Sequence, residues 1–221
     1  MGATTTNIIK IAVTGGAGSG KTSVCSRLKE WGLNVISSDT LAREVVAPGT
    51  DAFKNIINYF GKKVLLPDGA LNRSKLRRII TGDDVARLAL ESFVHPEIKK
   101  LMQLKMAQAE QEGDRIVVVE VPLLFELGIQ DRFDVVVMIS AERELRVQRL
   151  MERDSISKKE AKDLLDVQMT DDEKAQKADF IIKNDDNIDN LMRSVDFFYK
   201  KLYQKHAKNR VKALDRHKIM I

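Results

Sequence analysis

The stretch IIKIAVTGGAGSGKTSVCSRLKEW, residues 8–31, decides the fold class of this chain. Residues 8–14 form an apolar run that predicts a β-strand. The next eight residues, GGAGSGKT at 15–22, fill every fixed position of the phosphate-binding P-loop pattern, in which two glycines bracket four residues before Lys-Thr. The order of strand, glycine-rich loop and helix predicts a loop that wraps a nucleotide polyphosphate.

The residues after the loop predict the helix that the motif requires. Val24, Leu28 and Trp31 recur at i, i+4 and i+7, which gives one apolar stripe. Glycines allow backbone amides to point inward around phosphates, and the helix N-terminus adds partial positive charge. We expect the Lys of the motif to reach the β- and γ-phosphates and the Thr to bind Mg²⁺. The expected nucleotide contacts are Gly16, Ala17, Gly18, Ser19, Gly20, Lys21, Thr22 and Ser23.

Five short apolar runs have strand character, and most of them are hydrophobic without alternation. Such continuity is typical of strands covered on both faces, and helical stretches between them favour a parallel sheet. We therefore predict an α/β fold, a P-loop three-layer sandwich around a five-stranded parallel sheet. The predicted strands are residues 8–14, 33–37, 116–121, 133–139 and 180–183.

Two helical insertions interrupt this pattern. Residues 41–113 are predicted to form a helical inserted subdomain, in which His95-Pro96 separates two helices at 84–93 and 97–112. Residues 142–177 are charged and helical, as expected of a lid. The prediction is a single domain over 1–203, with a core of 8–40, 114–141 and 178–203, followed by a basic flexible tail at 204–221.

Composition and charge narrow the function classes. The net charge is +5, but residues 200–221 hold eight Lys or Arg against one Asp, so the preceding 199 residues sum to −2. No nucleic-acid partner is therefore expected of the body of the protein. The sequence has no apolar run of membrane-spanning length and no secretory signal, so a cytoplasmic protein without a membrane partner is expected. Gly2 fits the short myristoylation pattern only weakly.

The P-loop identifies the phosphoryl donor and leaves the acceptor open. The chain has no Asn-Lys dipeptide and no Asp followed three residues later by Gly, which removes the signatures of a GTPase. Asp39 follows the second predicted strand, where a kinase places a base for the acceptor hydroxyl or a carboxylate for Mg²⁺. The alternative for Asp39 is a helix N-cap. A kinase or another ATPase remains open at this point.

Glu120, the arginines and the single cysteine complete the candidate residues. Glu120 ends the third predicted strand, where it either touches the metal through water or is a solvated carboxylate. Arg146, Arg149 and Arg153 share one helical face, which either neutralises a transferring phosphoryl group, with the last two preferred, or forms surface ion pairs. Cys25 is expected to pack rather than react.

Seven segments together resemble the dephospho-CoA kinases, over roughly residues 8–203. Three of them lie in the predicted core, and the other four lie in the two insertions or run into the first of them. They are VTGGAGSGKT at 13–22, SSDTLAREVVAPGT at 37–50, LLPDGALNRSKLR at 65–77, VHPEI at 94–98, VPLLFE at 121–126, QRLMERD at 148–154 and ADFIIKN at 178–184.

The resemblance implies transfer of the γ-phosphoryl group of ATP to the 3′-hydroxyl of dephospho-CoA, with Mg²⁺ as cofactor. It implies Asp39, Lys21 and Arg149 as catalytic residues and Asn184 beside the adenine. It also implies a P-loop kinase in which residues 41–113 form the substrate-binding subdomain. The substrate contacts that it implies are Asp39, Arg43, His95, Pro122 and Leu123. A monomer or weak homo-oligomer is expected.

Three positions depart from the family pattern. Ser37 stands where an acid is frequent, Glu120 where many relatives have Asp, and Leu164 where Arg is common in the lid. The base role therefore falls to Asp39 alone, and the lid has fewer charges. Two alternative functions are a related nucleoside or nucleotide kinase and a nucleotide-dependent binding protein whose basic tail grips nucleic acid.

Overall fold

The computed structural model of the protein describes residues 8–208 and 219–220. Its strands are β1 (Ile9–Thr14), β2 (Asn34–Ser37), β3 (Ile116–Glu120), β4 (Val135–Ser140), β5 (Phe180–Lys183) and β6 (Ile219–Met220). Its helices are α1 (Lys21–Glu30), α2 (Ser38–Glu44), α3 (Asp51–Phe60), α4 (Arg73–Thr81), α5 (Asp84–Gln111), α6 (Arg143–Asp154), α7 (Lys158–Asp166), α8 (Asp171–Lys177) and α9 (Ile188–Lys208).

The strands form one sheet in the order β2-β3-β1-β4-β5-β6. The β1 strand pairs in parallel with β3 and with β4, and β4 pairs in parallel with β5. All five predicted strands are present, and the α/β fold is confirmed. The sequence did not predict β6, a two-residue strand that pairs in parallel with β5.

The first compact unit contains the sheet, up to Val35 and from Glu112 onward. Its core packs alternate side chains of the strands, odd-numbered in β1 and β4 and even-numbered in β3 and β5, against α1 and α9. The neighbouring residues Ala12, Val119 and Met138 are also buried, so these strands are covered on both faces. This burial explains why the apolar runs are continuous in the sequence.

Helices α1 and α9 are joined by a polar network at the edge of this core. Arg27 donates from Nε and Nη2 to the two carboxylate oxygens of Asp196, both at 2.8 Å. Trp31 Nε1 donates to the same carboxylate at 2.8 Å, and its ring stacks on Tyr199. Two parallel hydrogen bonds from one Arg fix orientation as well as distance, so the P-loop helix has a defined position on α9.

The second compact unit, Ile36–Gln111, is helical and has its own hydrophobic core. The core lies among α3, α4 and the start of α5, and its members include Phe53, Ile56, Phe60, Leu76 and Ala86. Thr50 and Asn72 cap α3 and α4, since their side-chain oxygens accept from the N–H groups of Phe53 and Lys75.

Helix α5 corrects one prediction, because it continues through Pro96 instead of breaking at His95. A proline inside a helix costs about 3 kcal/mol, since it lacks an N–H and crowds the preceding turn. Residues on both sides of it are buried, with Ala86 before and Met102 and Met106 after. This tertiary packing holds one continuous helix across the proline.

Two further predictions concern chain ends. Helix α9 extends to Lys208, past the predicted end of the core at residue 203. The rest of the predicted flexible tail, apart from β6, and the weak myristoylation pattern at Gly2 lie outside the described residues. Within 8–208 and 219–220, no helix is both long and apolar enough to cross a membrane.

Candidate active site

The P-loop runs from the end of β1 to the start of α1, and its conformation depends on glycine. Gly15, Gly18 and Gly20 have φ angles of 144°, 73° and 96°, a region that other residues rarely adopt. A Cβ atom on Gly15 would strike the carbonyl of Ile139, and one on Gly20 would strike the side chain of Asn184. Backbone geometry and close packing therefore both require the motif glycines.

Lys21 lies at the first position of α1, and its ammonium group is directed back onto the loop. Its Nζ donates to the carbonyls of Gly15 and Gly16, both at 2.9 Å. The side chain is 9% exposed. The loop thus gathers a buried cation and the N-terminus of a ten-residue helix in one place, which suits a polyphosphate.

Ser19 and Ser23, two predicted nucleotide contacts, differ in what they can offer. Ser19 Oγ is buried and, within the described part of the chain, has no hydrogen-bond partner. Ser23 is half-buried in the first turn of α1, and its N–H donates to Gly20.

Thr22 and Glu120, the two predicted metal residues, lie close together. Thr22 is exposed in the first turn of α1, and Glu120 ends β3, the neighbour of β1 in the sheet. Thr22 Oγ1 donates to Glu120 Oε1 at 3.5 Å. Hydroxyl and carboxylate oxygens are hard donors that suit Mg²⁺, which keeps several waters and needs few protein ligands. No group of three His, Cys, Asp or Glu that fits a metal occurs among the described residues, so a fully protein-made cage is absent there.

Two arginines of α6 contact the P-loop, and one of them was not preferred from the sequence. Arg149 donates from Nη2 to the carbonyl of Asn184 at 3.0 Å and from Nη1 to that of Gly18 at 3.4 Å. Arg146, which is buried, donates from Nε to the carbonyl of Ala17 at 2.8 Å. The third arginine of this face, Arg153, is exposed and pairs with Asp154.

Gln168 contacts this loop and Asp171 contacts Arg146, and neither residue was predicted from the sequence. The N–H of Ala17 donates to Gln168 Oε1 at 2.9 Å, and Arg146 Nη1 donates to Asp171 Oδ1 at 2.8 Å. Arg146 was one of the three arginines that the sequence placed on this helical face, although the other two were preferred. Gln168 and Asp171 belong to the turn before α8 and to its first residue, and no local pattern marks them.

Asn184 follows β5 and is buried against the loop. Its side-chain amide donates to the carbonyl of Ser19 at 2.8 Å, while its own N–H donates to Ser140. The residue therefore ties the ends of β4 and β5 to the P-loop. Its implied place beside the adenine stays a prediction.

The predicted substrate residues fall into both compact units. Pro122 directly follows β3 and Val121, and its carbonyl accepts from Thr14 Oγ1 at 3.5 Å, while the next residue, Leu123, is 42% exposed. The other three lie in the helical unit and are exposed: Asp39 in the first turn of α2, Arg43 in its last turn, and His95 in α5.

The N-cap alternative for Asp39 is wrong. Helix α2 begins at Ser38 with Ser37 at the capping position, so Asp39 lies inside the first turn. Its side chain is exposed. The carboxylate is therefore available for another role.

Cys25 is packed and unreactive, as expected. It is 3% exposed in the core beside α1 residues Val24 and Leu28. Burial raises the pKa of the thiol to about 12, and the negative charge of Glu120 acts in the same direction. The thiolate needed for nucleophilic chemistry is therefore not formed near neutral pH.

Comparison with known proteins assigns a family. The model of the dephospho-CoA kinase family matches residues 9–190. A dephospho-CoA kinase of Geobacter sulfurreducens is 40% identical over 193 residues, covering 87% of this chain and 98% of the relative. One of Listeria monocytogenes is 37% identical over 185 residues, covering 84% and 92%.

Solved structures agree with this assignment. The crystal structure of a Thermus thermophilus protein has a TM-score of 0.76 at 30% identity and covers 88% of this chain and 98% of its own. The dephospho-CoA kinase from Campylobacter jejuni has a TM-score of 0.70 at 28% identity, covering 89% and 98%. The chain belongs to the dephospho-CoA kinase family.

Proposed function

We propose that the protein transfers the γ-phosphoryl group of ATP to the 3′-hydroxyl of dephospho-CoA, giving CoA and ADP. The observation that carries this proposal is a complete P-loop in a chain that matches the dephospho-CoA kinase family over residues 9–190. The loop supports ATP as the phosphoryl donor, because Lys21 is buried against the loop and the motif glycines have φ angles that other residues rarely adopt. The family supports the acceptor.

The donor side is served by residues of the first compact unit. Backbone amides of the loop surround the phosphates, and Lys21 offsets charge on the β- and γ-phosphates. Arg149 and Arg146 lie at the loop carbonyls of Gly18 and Ala17, where their positive charge favours the transferring phosphoryl group. These fixed charges need little rearrangement during the reaction.

Mg²⁺ is proposed as the cofactor, held by the hydroxyl of Thr22 with Glu120 reaching it through water. The 3.5 Å separation of the two side-chain oxygens supports this assignment. When bound, the metal neutralises phosphate charge and favours an in-line geometry. The protein contributes the oxygen donors and the nearby ammonium of Lys21.

On the acceptor side, we assign Asp39 as the base that takes the 3′-hydroxyl proton. Its support is its sequence position, two residues after the end of β2, together with the exposure of its carboxylate. As the oxygen attacks the γ-phosphorus, its proton passes to Asp39 and ADP leaves. Arg43, His95, Pro122 and Leu123 are assigned to the binding of dephospho-CoA, from the resemblance alone.

The remaining assignments are a cytoplasmic enzyme that acts as a monomer or weak homo-oligomer.

Identification of the product tests the reaction itself. Incubation with Mg-ATP and dephospho-CoA should give equimolar ADP and CoA, with the new phosphorus signal on the ribose 3′-oxygen by NMR. The Lys21→Ala variant is the control and should give no product. Phosphate on any other oxygen, or ADP without CoA, would refute the proposal.

A further inference from the structure

Lys174 in α8 is an ammonium group that the reaction does not use. Its side chain is fully buried, and its Nζ lies 2.8 Å from Oε1 of Glu126, which follows β3 in the VPLLFE segment. Burying a lysine is costly unless a carboxylate compensates it. The same Glu126 oxygen also accepts from the N–H of Met169 at 3.1 Å. Glu126 thus holds both α8 and the turn before it.

The turn that Glu126 holds is the one that reaches the P-loop. Gln168, adjacent to Met169, accepts the N–H of Ala17 at 2.9 Å. Asp171, two residues on, accepts from Arg146, which in turn donates to the carbonyl of Ala17. Both polar groups of Ala17 are therefore held from residues 168–171, either directly or through Arg146.

We propose that Glu126, whose buried charge Lys174 compensates, holds the turn at Gln168 and Met169 in the position that orders the P-loop for nucleotide. Ala17 lies between Gly16 and Gly18, and glycines lose the most conformational freedom on ordering. A loop already pinned at Ala17 binds phosphate at a smaller entropic cost. The inference rests on the proposed function only in that the loop binds a nucleotide, and not on the identity of the acceptor.

Two double variants separate this role from simple stabilisation, since both remove the buried charges together. Glu126→Gln/Lys174→Met keeps a carbonyl oxygen for the Met169 N–H, whereas Glu126→Leu/Lys174→Met removes it. ADP affinity is measured by calorimetry without acceptor, and thermal unfolding is followed in parallel. We expect the Leu/Met variant to bind ADP about tenfold more weakly. The Gln/Met variant should restore affinity to within about twofold.

The Gln168→Ala variant tests the same path at a half-buried residue of the turn. It should weaken ADP binding by about the same tenfold factor. Combined with the Leu/Met pair, it should add little, because the two changes break one connection. The KM for ATP should rise in each case while the KM for dephospho-CoA is unchanged.

Three outcomes would overturn the positioning role. They are wild-type ADP affinity in a folded Leu/Met variant, wild-type affinity in Gln168→Ala, and fully multiplicative effects of the two changes. If the Leu/Met variant does not fold, Gln168→Ala alone decides. ADP binding with no phosphorylation of dephospho-CoA would refute the proposed function instead and leave this test intact.

Discussion

Thr22 Oγ1 lies 3.5 Å from Oε1 of Glu120, which joins the first turn of the P-loop helix to the end of the neighbouring strand β3. The two residues are 98 positions apart in the chain, and the parallel pairing of β1 with β3 brings them together. This pair defines the proposed magnesium position.

Replacing Glu120 should change the response to Mg²⁺. With Glu120→Gln, the concentration for half-maximal rate should rise about tenfold, the usual effect of removing a carboxylate that orients metal ligands or water. Glu120→Asp keeps the charge and should stay closer to wild type. Initial rates over a Mg²⁺ series at fixed ATP measure this. A magnesium curve unchanged in Glu120→Gln would remove Glu120 from the metal site.

Arg149 and Arg153 form a matched pair on one face of α6. Arg149→Ala should lower kcat by about 10²-fold, because a fixed cation near the transferring group is lost. Arg149→Lys should recover little, since an ammonium cannot reproduce two bonds from one guanidinium. Arg153→Ala is the control and should be near wild type, because that side chain pairs with Asp154 at the surface. Equal losses in the two alanine variants would contradict the assignment.

Asp39→Asn should lower kcat by about 10²-fold while ATP binding survives, as expected for loss of a positioned base. The matched control is Asp51→Asn, since Asp51 is also an exposed acid in the first turn of a helix. Steady-state rates and ATP affinity are compared for both. If the two variants behave alike, Asp39 acts only on its helix and another base must be sought.

Cys25 gives the protein a predicted pH dependence of stability. Its pKa rises from 9.0 in the unfolded reference to about 12 in the fold, mainly by burial. Below pH 9 the thiol is protonated in both states, and between pH 9 and 12 only the unfolded chain ionises, so stability falls. The loss at pH 10 should be about 1.4 kcal/mol relative to pH 8.

Urea unfolding of wild type and Cys25→Ala at pH 8 and pH 10, under reducing conditions, isolates this contribution. The alanine variant should be less stable at pH 8 because a buried side chain is lost. The difference in free energy of unfolding between the two proteins should narrow at pH 10. Other groups titrate in both proteins and cancel. The same gap at both pH values would show that ionisation of Cys25 does not contribute.

The sequence predicted the sheet well because its strands are buried on both faces and read as unbroken apolar runs. It failed at Pro96, where packing of Ala86, Met102 and Met106 outweighs the local breaking signal. It also missed β6, since two residues leave no periodicity to detect. Sequence patterns predict an element correctly when its tertiary packing favours the same structure.

In the candidate site, too, local patterns predicted some residues, and contacts between distant segments determined the others. The P-loop residues, Thr22 with Glu120, and Arg149 follow from motif and strand order. The sequence preferred Arg153 to Arg146, whereas the structure brings Arg146 to the loop and pairs Arg153 with Asp154. A shared helical face does not specify which of its residues contacts the loop. Gln168 and Glu126 act through contacts between distant segments, which a single sequence does not specify.

Initial rates with Mg-ATP and a panel of acceptors test directly whether dephospho-CoA is the phosphoryl acceptor. The panel is dephospho-CoA, AMP, CMP, shikimate and gluconate at equal concentrations, with Lys21→Ala as the blank. We expect the enzyme to phosphorylate dephospho-CoA far faster than every other acceptor. A comparable or higher rate on AMP or CMP would contradict it and identify a nucleotide kinase.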